Sequence, residues 1–206
     1  MQIKICGMTS KEDVMFCSKM GVNALGFILA SSPRQITLKK VMEITQDIPP
    51  FIARVAVVVN SEVEELKKIE SCGLFDYIQF HGDESPQIIR DCKLRTIKAI
   101  SVSSKEDLKD IEKYKDADYY LFDTKVGSQV GGTGQSFKWS ILDKVKINKP
   151  FILAGGLGPD NVEAALSSLP ELAGVDLNSK LELAPGIKDH SLVKKGISVI
   201  KSYEFE

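Results

Sequence analysis

The sequence predicts a single-domain α/β protein, residues 1–206, folded as a closed (β/α)8 barrel. Three observations carry that expectation. Apolar, β-branched segments recur along the whole chain, and each is followed by a stretch with helical periodicity. Strict strand–helix alternation requires a parallel sheet with crossover helices. Eight such units within 206 residues leave only short connections, which suits closure. The competitor, an open doubly wound sheet, usually carries G-x-G-x-x-G after its first strand, and Cys6-Gly7-Met8-Thr9 has no such pattern.

The first strand is expected at Gln2–Cys6 and the second at Asn23–Leu29. The third, Ile52–Val59, contains the run Val55-Ala56-Val57-Val58-Val59 that a strand buried on both faces should show. Tyr77–Phe80, Thr96–Ile100 and Tyr119–Asp123 follow, then Phe151–Ala154 and Val175–Leu177. Between them, Val63, Leu66 and Ile69 place one apolar stripe on a helix, and Leu108 and Ile111 predict another. Pro159-Asp160-Asn161 is read as the first turn of the seventh helix, where proline is tolerated, and the final helix as Ser191–Ser202.

Composition narrows the function. With 43% hydrophobic and 27% charged residues the chain reads as an ordinary globular protein. A formal net charge of −1 points to no nucleic-acid or membrane partner, so any anion must be met by local charge. No run approaches the ~20 apolar residues of a spanning helix, and the start, Met1-Gln2-Ile3-Lys4-Ile5-Cys6, lacks a signal-peptide core. Cys6, Cys17, Cys72 and Cys92 are scattered, and neither His81 nor His190 stands at zinc-ligand spacing from them. A reduced, cytoplasmic protein without a metal is expected.

In such barrels chemistry sits at the C-terminal ends of the strands. That rule selects Cys6, Arg34, His81, Asp123 and the Gly155-Gly156 turn, which converge only if the barrel closes. Cys6 is either a small buried hydrophobe or a thiolate base; the second use needs a cationic neighbour, and Lys4 shares its strand parity. Asp123 either bonds nearby backbone N–H groups or serves as an acid, since lost solvent favours a proton-donating carboxyl. A base and an acid across one mouth suit an isomerase. Arg34 is a solvated charge or a bidentate anchor for a carboxylate or phosphate. His81 reads as a hydrogen-bonded scaffold residue with a binding role open.

The glycines say more together. Leu153-Ala154-Gly155-Gly156-Leu157-Gly158-Pro159 and the polar turn Asn178-Ser179 follow strands seven and eight, where barrels of this kind bind phosphate. The long connection Thr124–Phe137, with Gly127, Gly131, Gly132 and Gly134, suggests a lid or a substrate-lining segment. Lys4, His81 and Gly132 complete the candidate pocket.

In order, Lys4-Ile5-Cys6-Gly7, Leu25-Gly26-Phe27-Ile28, Ser32-Pro33-Arg34-Gln35-Ile36, Gln79-Phe80-His81-Gly82-Asp83-Glu84, Gly131-Gly132-Thr133-Gly134, Leu153-Ala154-Gly155-Gly156-Leu157 and Gly174-Val175-Asp176 resemble the phosphoribosylanthranilate isomerase family of TIM barrels nearly end to end. The resemblance implies an Amadori rearrangement of N-(5-phosphoribosyl)anthranilate in tryptophan biosynthesis, with no cofactor and a phosphorylated small-molecule substrate. It implies Asp123 as general acid, Cys6 as general base, Arg34 on the substrate carboxylate, and Gly155, Gly156, Asn178 and Ser179 around the phosphate. A monomer or homodimer is expected. Where the family has a glycine after the small polar pair, this chain has Lys180, followed by Leu181-Glu182. Phe80 also stands where the family usually has an aliphatic residue.

Three alternatives compete. Indole-glycerol-phosphate synthases rely on catalytic lysine and glutamate residues and a longer N-terminal extension, whereas here strand one starts at once. Related phosphosugar isomerases that use paired aspartates have an acid where Cys6 stands. A non-catalytic phosphate-binding barrel would need neither Cys6 nor Asp123.

Overall fold

A computed structural model describes residues 1–109, 111–124, 139–144 and 147–203. The eight expected strands are β1 (Gln2–Ile5), β2 (Ala24–Ile28), β3 (Ala53–Val58), β4 (Tyr77–Phe80), β5 (Arg95–Val102), β6 (Tyr119–Thr124), β7 (Phe151–Ala154) and β8 (Gly174–Leu177). They are parallel, pair in chain order, and close by β1 pairing with β8, with Lys4 opposite Asp176. Closure leaves the barrel itself without an edge strand and sets its first strand beside its eighth.

Side-chain alternation divides the core in two. Val55, Ile97, Ala99, Leu121 and Ala154 form a small cluster inside the barrel, while Ile3, Ile5, Ala56 and Val58 join the larger layer under the helices. The expected two-sided burial of strand three holds for Val55–Val58, but Val59 is 44% exposed because β3 has ended.

Among the described residues six α-helices cover the barrel: α1 (Lys11–Lys19), α2 (Leu38–Ile44), α3 (Val63–Ser71), α4 (Pro86–Asp91), α5 (Val162–Ser168) and α6 (His190–Tyr203). Local chemistry sets their starts. Ser10, Thr37 and Ser85 each accept a backbone N–H three residues on, and Pro86 occupies a first-turn position. Leu66 and Ile69 of α3 are buried as expected, but Val63, in the first turn, is half-exposed.

Other expectations need correcting. The helix predicted around Leu108 and Ile111 is instead two 3-10 turns, Lys105–Leu108 and Ile111–Tyr114. An i, i+3 spacing with no i+4 partner suits that tighter winding, and Leu108, Ile111 and Tyr114 are all buried on it. Residues Pro159-Asp160-Asn161 are not the first turn of α5, which starts at Val162. Asn161 instead uses its side chain on the preceding loop, accepting from Gly158 N and donating to the Gly156 carbonyl. Beyond β8 lies an unforeseen antiparallel pair, β9 (Glu182–Ala184) and β10 (Ile187–Lys188). The glycine-rich segment 125–137, Gly132 included, falls outside the described residues.

Candidate active site

At the C-terminal end of the barrel a cavity of about 340 Å³ is lined by Cys6, His81, Asp123, Gly155, Gly156, Asn178 and Ser179. Inward parity brings them there: Cys6 continues β1 past its last paired residue, with its N–H donating to the Leu177 carbonyl, and Asp123 lies opposite Ala154 in the β6–β7 ladder. A second, apolar cavity of about 210 Å³ opens at the opposite end between Ile3, Val55, Ile97 and Ile152. It lies away from Cys6 and Asp123, so the mouth is where chemistry is sought.

Lys4 sits beneath the floor. Its Nζ contacts Asp176 Oδ2 at 2.6 Å, with both side chains almost wholly buried. Burial pushes the Cys6 thiol above its ordinary pKa, and the Lys4 ammonium pulls it back. Asp176 is raised as well, by burial first, against the pull of Lys4. Gly26 makes the room: a Cβ there would lie 2.7 Å from Cys6 Sγ and 3.1 Å from Lys4 Nζ.

Asp123, half-buried, has Oδ2 3.2 Å from His81 Nε2, and His81 Nδ1 lies 2.9 Å from Gln79 Nε2. The Gly155-Gly156 turn runs through φ values of 93° and 63°, the left-handed region where glycine carries no Cβ penalty. Asn178 uses its side-chain oxygen to accept from Lys188 Nζ at 2.9 Å. Lys180, placed by sequence where a positive φ is usual, lies in the 3-10 turn Ser179–Leu181; the sole non-glycine residue with positive φ among the described residues is Asn60. The Lys180 Cβ would crowd any side chain at position 158, which is Gly158.

Arg34 stands beside the mouth, against Gly7, rather than in the cavity wall. Its guanidinium forks onto Glu182, with Nε 2.9 and 3.0 Å from the two carboxylate oxygens and Nη2 2.6 Å from one of them. The pairing raises the Arg34 pKa, and this partner was not anticipated.

Two buried polar lining residues were not among the expected site residues, Gln79 and Asp176. Each keeps one buried oxygen, Gln79 Oε1 and Asp176 Oδ1, without a hydrogen-bond partner among the described residues. The available signal was a polar residue at an inward position of each apolar strand. Among the described residues no group of three or more His, Cys, Asp or Glu side chains could hold a metal, and no helix is long and apolar enough to cross a membrane.

The family model described as N-(5'phosphoribosyl)anthranilate (PRA) isomerase matches residues 3–199. The chain belongs to that family of isomerases. Among its relatives, the N-(5'-phosphoribosyl)anthranilate isomerase of Petrotoga mobilis is 54% identical over 206 residues, covering 100% of this chain and 99% of that protein. The phosphoribosyl anthranilate isomerase of Thermotoga maritima superposes with a TM-score of 0.88 at 34% identity, covering 98% of both chains. A phosphoribosyl anthranilate isomerase solved with reduced 1-(o-carboxyphenylamino)-1-deoxyribulose 5-phosphate superposes at 0.87 and 33% identity, again over 98% of both. In this member of the family, then, the mouth cavity is the candidate active site.

Proposed function

We propose that this mouth converts N-(5-phosphoribosyl)anthranilate to 1-(2-carboxyphenylamino)-1-deoxyribulose 5-phosphate, as a step of tryptophan biosynthesis, with Asp123 as general acid and Cys6 as general base. The observation that carries the reading is that Cys6 and Asp123, 117 positions apart by number (123 − 6), line one cavity together with the Gly155-Gly156 turn. Asp123 protonates the ribose ring oxygen; the ring C–O bond breaks and the nitrogen lone pair forms an iminium ion. Cys6 then removes the C2 proton. The C–H electrons become the enolamine double bond, and tautomerisation gives the ketone.

The electrostatics favour that order. The iminium is an internal electron sink, so the C2 proton becomes acidic only after Asp123 has acted. A buried thiolate, once formed, is a stronger base than one in water, and Lys4 beneath it stabilises the charge. The main chain at Gly155 and Gly156, with Asn178 and Ser179, grips the phosphate, and Arg34 holds the anthranilate carboxylate from the Glu182 side. Those remote contacts position the sugar between acid and base. The partnerless Gln79 and Asp176 oxygens suit donors on the ligand, and a ribose supplies hydroxyls.

The test is kinetic. Cys6→Ala and Asp123→Asn should each lower kcat by roughly 10²- to 10⁴-fold, while the reduced product analogue still binds. Normal turnover in both variants would remove the assignment.

A further inference from the structure

His81 lies between two fixed neighbours, and the donor inventory of one of them decides the state of the ring. Gln79 Nε2 is an amide nitrogen with hydrogens and no acceptor capacity, and it sits 2.9 Å from His81 Nδ1. Nδ1 must therefore be the lone-pair side of the neutral imidazole. The proton falls on Nε2, 3.2 Å from Asp123 Oδ2. Gln79 is 1% exposed on β4, with Val57 and Ile97 opposite it on the neighbouring strands, so the amide has apolar cross-strand neighbours. Turning the amide over would present its oxygen to Nδ1 and reverse the tautomer, so the orientation that sets Nε2 2.9 Å from Nδ1 carries the assignment. In the observed orientation the amide oxygen Oε1 has no hydrogen-bond partner among the described residues. That oxygen belongs to a residue lining the mouth cavity, where a ligand hydroxyl can donate to it.

We propose that Gln79 is a positioning residue that holds His81 as its Nε2–H tautomer, so that His81 donates to Asp123 and leaves the acid's proton free for the substrate. The inference rests on the reading of Asp123 as the acid. With Oδ2 accepting from His81, the acidic proton resides on Oδ1. As it passes to the ring oxygen, negative charge grows on the carboxyl group, and the hydrogen bond from His81 Nε2–H strengthens because hydrogen bonds to an ionised acceptor are about twice as strong as neutral ones. The gain appears in the transition state rather than in the bound ground state, which is the condition for raising kcat. In the other tautomer a lone pair on Nε2 faces Oδ2. It then either repels the carboxylate or captures the proton the substrate needs.

The chain holds only two histidines, His81 and His190, so the ring nitrogens can be read directly by long-range ¹H–¹⁵N correlation. His190 pairs with Asp13 and stacks on Phe16, away from the mouth, and His190→Asn assigns its signals. Under mildly alkaline conditions, where imidazoles are neutral, the free wild-type protein should show His81 with a protonated Nε2 and a bare Nδ1. Gln79→Leu should abolish that single-tautomer pattern and lower kcat by roughly ten- to hundredfold, as loss of an orienting partner does, with a smaller change in KM. A protonated Nδ1 in wild type overturns the proposal, as does an unchanged tautomer in Gln79→Leu. The wild-type spectrum needs no variant to fold, and it is independent of Asp123→Asn turnover, which tests the acid assignment alone.

Discussion

Lys4 and Asp176 face each other across the β1–β8 seam and meet at 2.6 Å, so the contact that closes the barrel also supplies the cation beneath Cys6. Both side chains are nearly inaccessible, and removing one strands the other's charge in a low dielectric. Lys4→Met should therefore cost about 3–5 kcal/mol, read from the midpoint of a urea titration with an unchanged slope. A loss below about 1 kcal/mol, the scale of an exposed pair, would show that the pair contributes nothing beyond a surface bridge.

The same pair sets a pH dependence. Burial raises the Cys6 pKa, Lys4 lowers it and Asp176 raises it again, with the net shift upward. With the Cys6 thiolate as the proposed base, kcat/KM should climb as pH rises through a Cys6 pKa above the ordinary ~8.5 of a free thiol. Lys4→Met should move that limb to higher pH. Asp176→Asn should move it to lower pH, because a like charge has been removed. A limb that ignores both substitutions belongs to another group.

Gly26 offers a steric test. An alanine Cβ would lie 2.7 Å from Cys6 Sγ and 3.1 Å from the Cys6 backbone, too close for either to stay. Gly26→Ala should cost about 1–3 kcal/mol through overpacking and lose most turnover by displacing the thiol. Gly73→Ala is the control: its φ of 68° is strained for alanine, but no atom lies within 4 Å. It should lose about 1 kcal/mol and keep its kcat.

Arg34 and Glu182 make a prediction in acid. Burial pushes the Glu182 carboxyl up, but hydrogen bonds from Arg34 and Lys188 outweigh it and hold the pKa below the usual value. A carboxyl lowered on folding stabilises the protein in full above the unfolded-state pKa, and that contribution disappears as pH falls through the folded one. Glu182→Gln should thus be less stable than wild type near neutrality, with the difference narrowing below about pH 4. It should also raise KM more than it lowers kcat, because a released Arg34 no longer presents a fixed fork. If KM stays put, Arg34 leaves the carboxylate site.

These contacts mark where the sequence stopped being informative. β4 was placed residue for residue, and the position of Cys6 and Asp123 at the C-terminal ends of their strands put both at one mouth, because strand ends can be read from consecutive positions. Gln79 carried a weaker signal, one amide in the run Tyr77-Ile78-Gln79-Phe80, and its meaning depends on which nitrogen of His81 it meets. Arg34 and Glu182 lie 148 positions apart, and no periodicity links them. The region after β5 misled for a local reason: Leu108 and Ile111 fit an α-helix as well as the 3-10 turns they adopt.

The loop bearing His81 is held from outside the barrel. Lys98 points away from the mouth on β5 and is 2% exposed; its Nζ donates to the Phe80 and Gly82 carbonyls and pairs with Glu84 Oε2 at 3.0 Å. Glu84 Oε1 in turn accepts from Asn60 N at 2.9 Å and Gly82 N at 3.1 Å. His81 lies between the two carbonyls that Lys98 grips, so stability and activity should fall together when the clamp is cut. Lys98→Met leaves Glu84 charged and buried, an expected loss of about 3–5 kcal/mol, and kcat should drop as the His81–Asp123 contact loosens. Lys98→Met with Glu84→Met removes the stranded charge and should recover much of the stability. It cannot restore the bonds to Phe80 and Gly82, so turnover should remain low. A double variant that regains both would mean the clamp serves the fold alone.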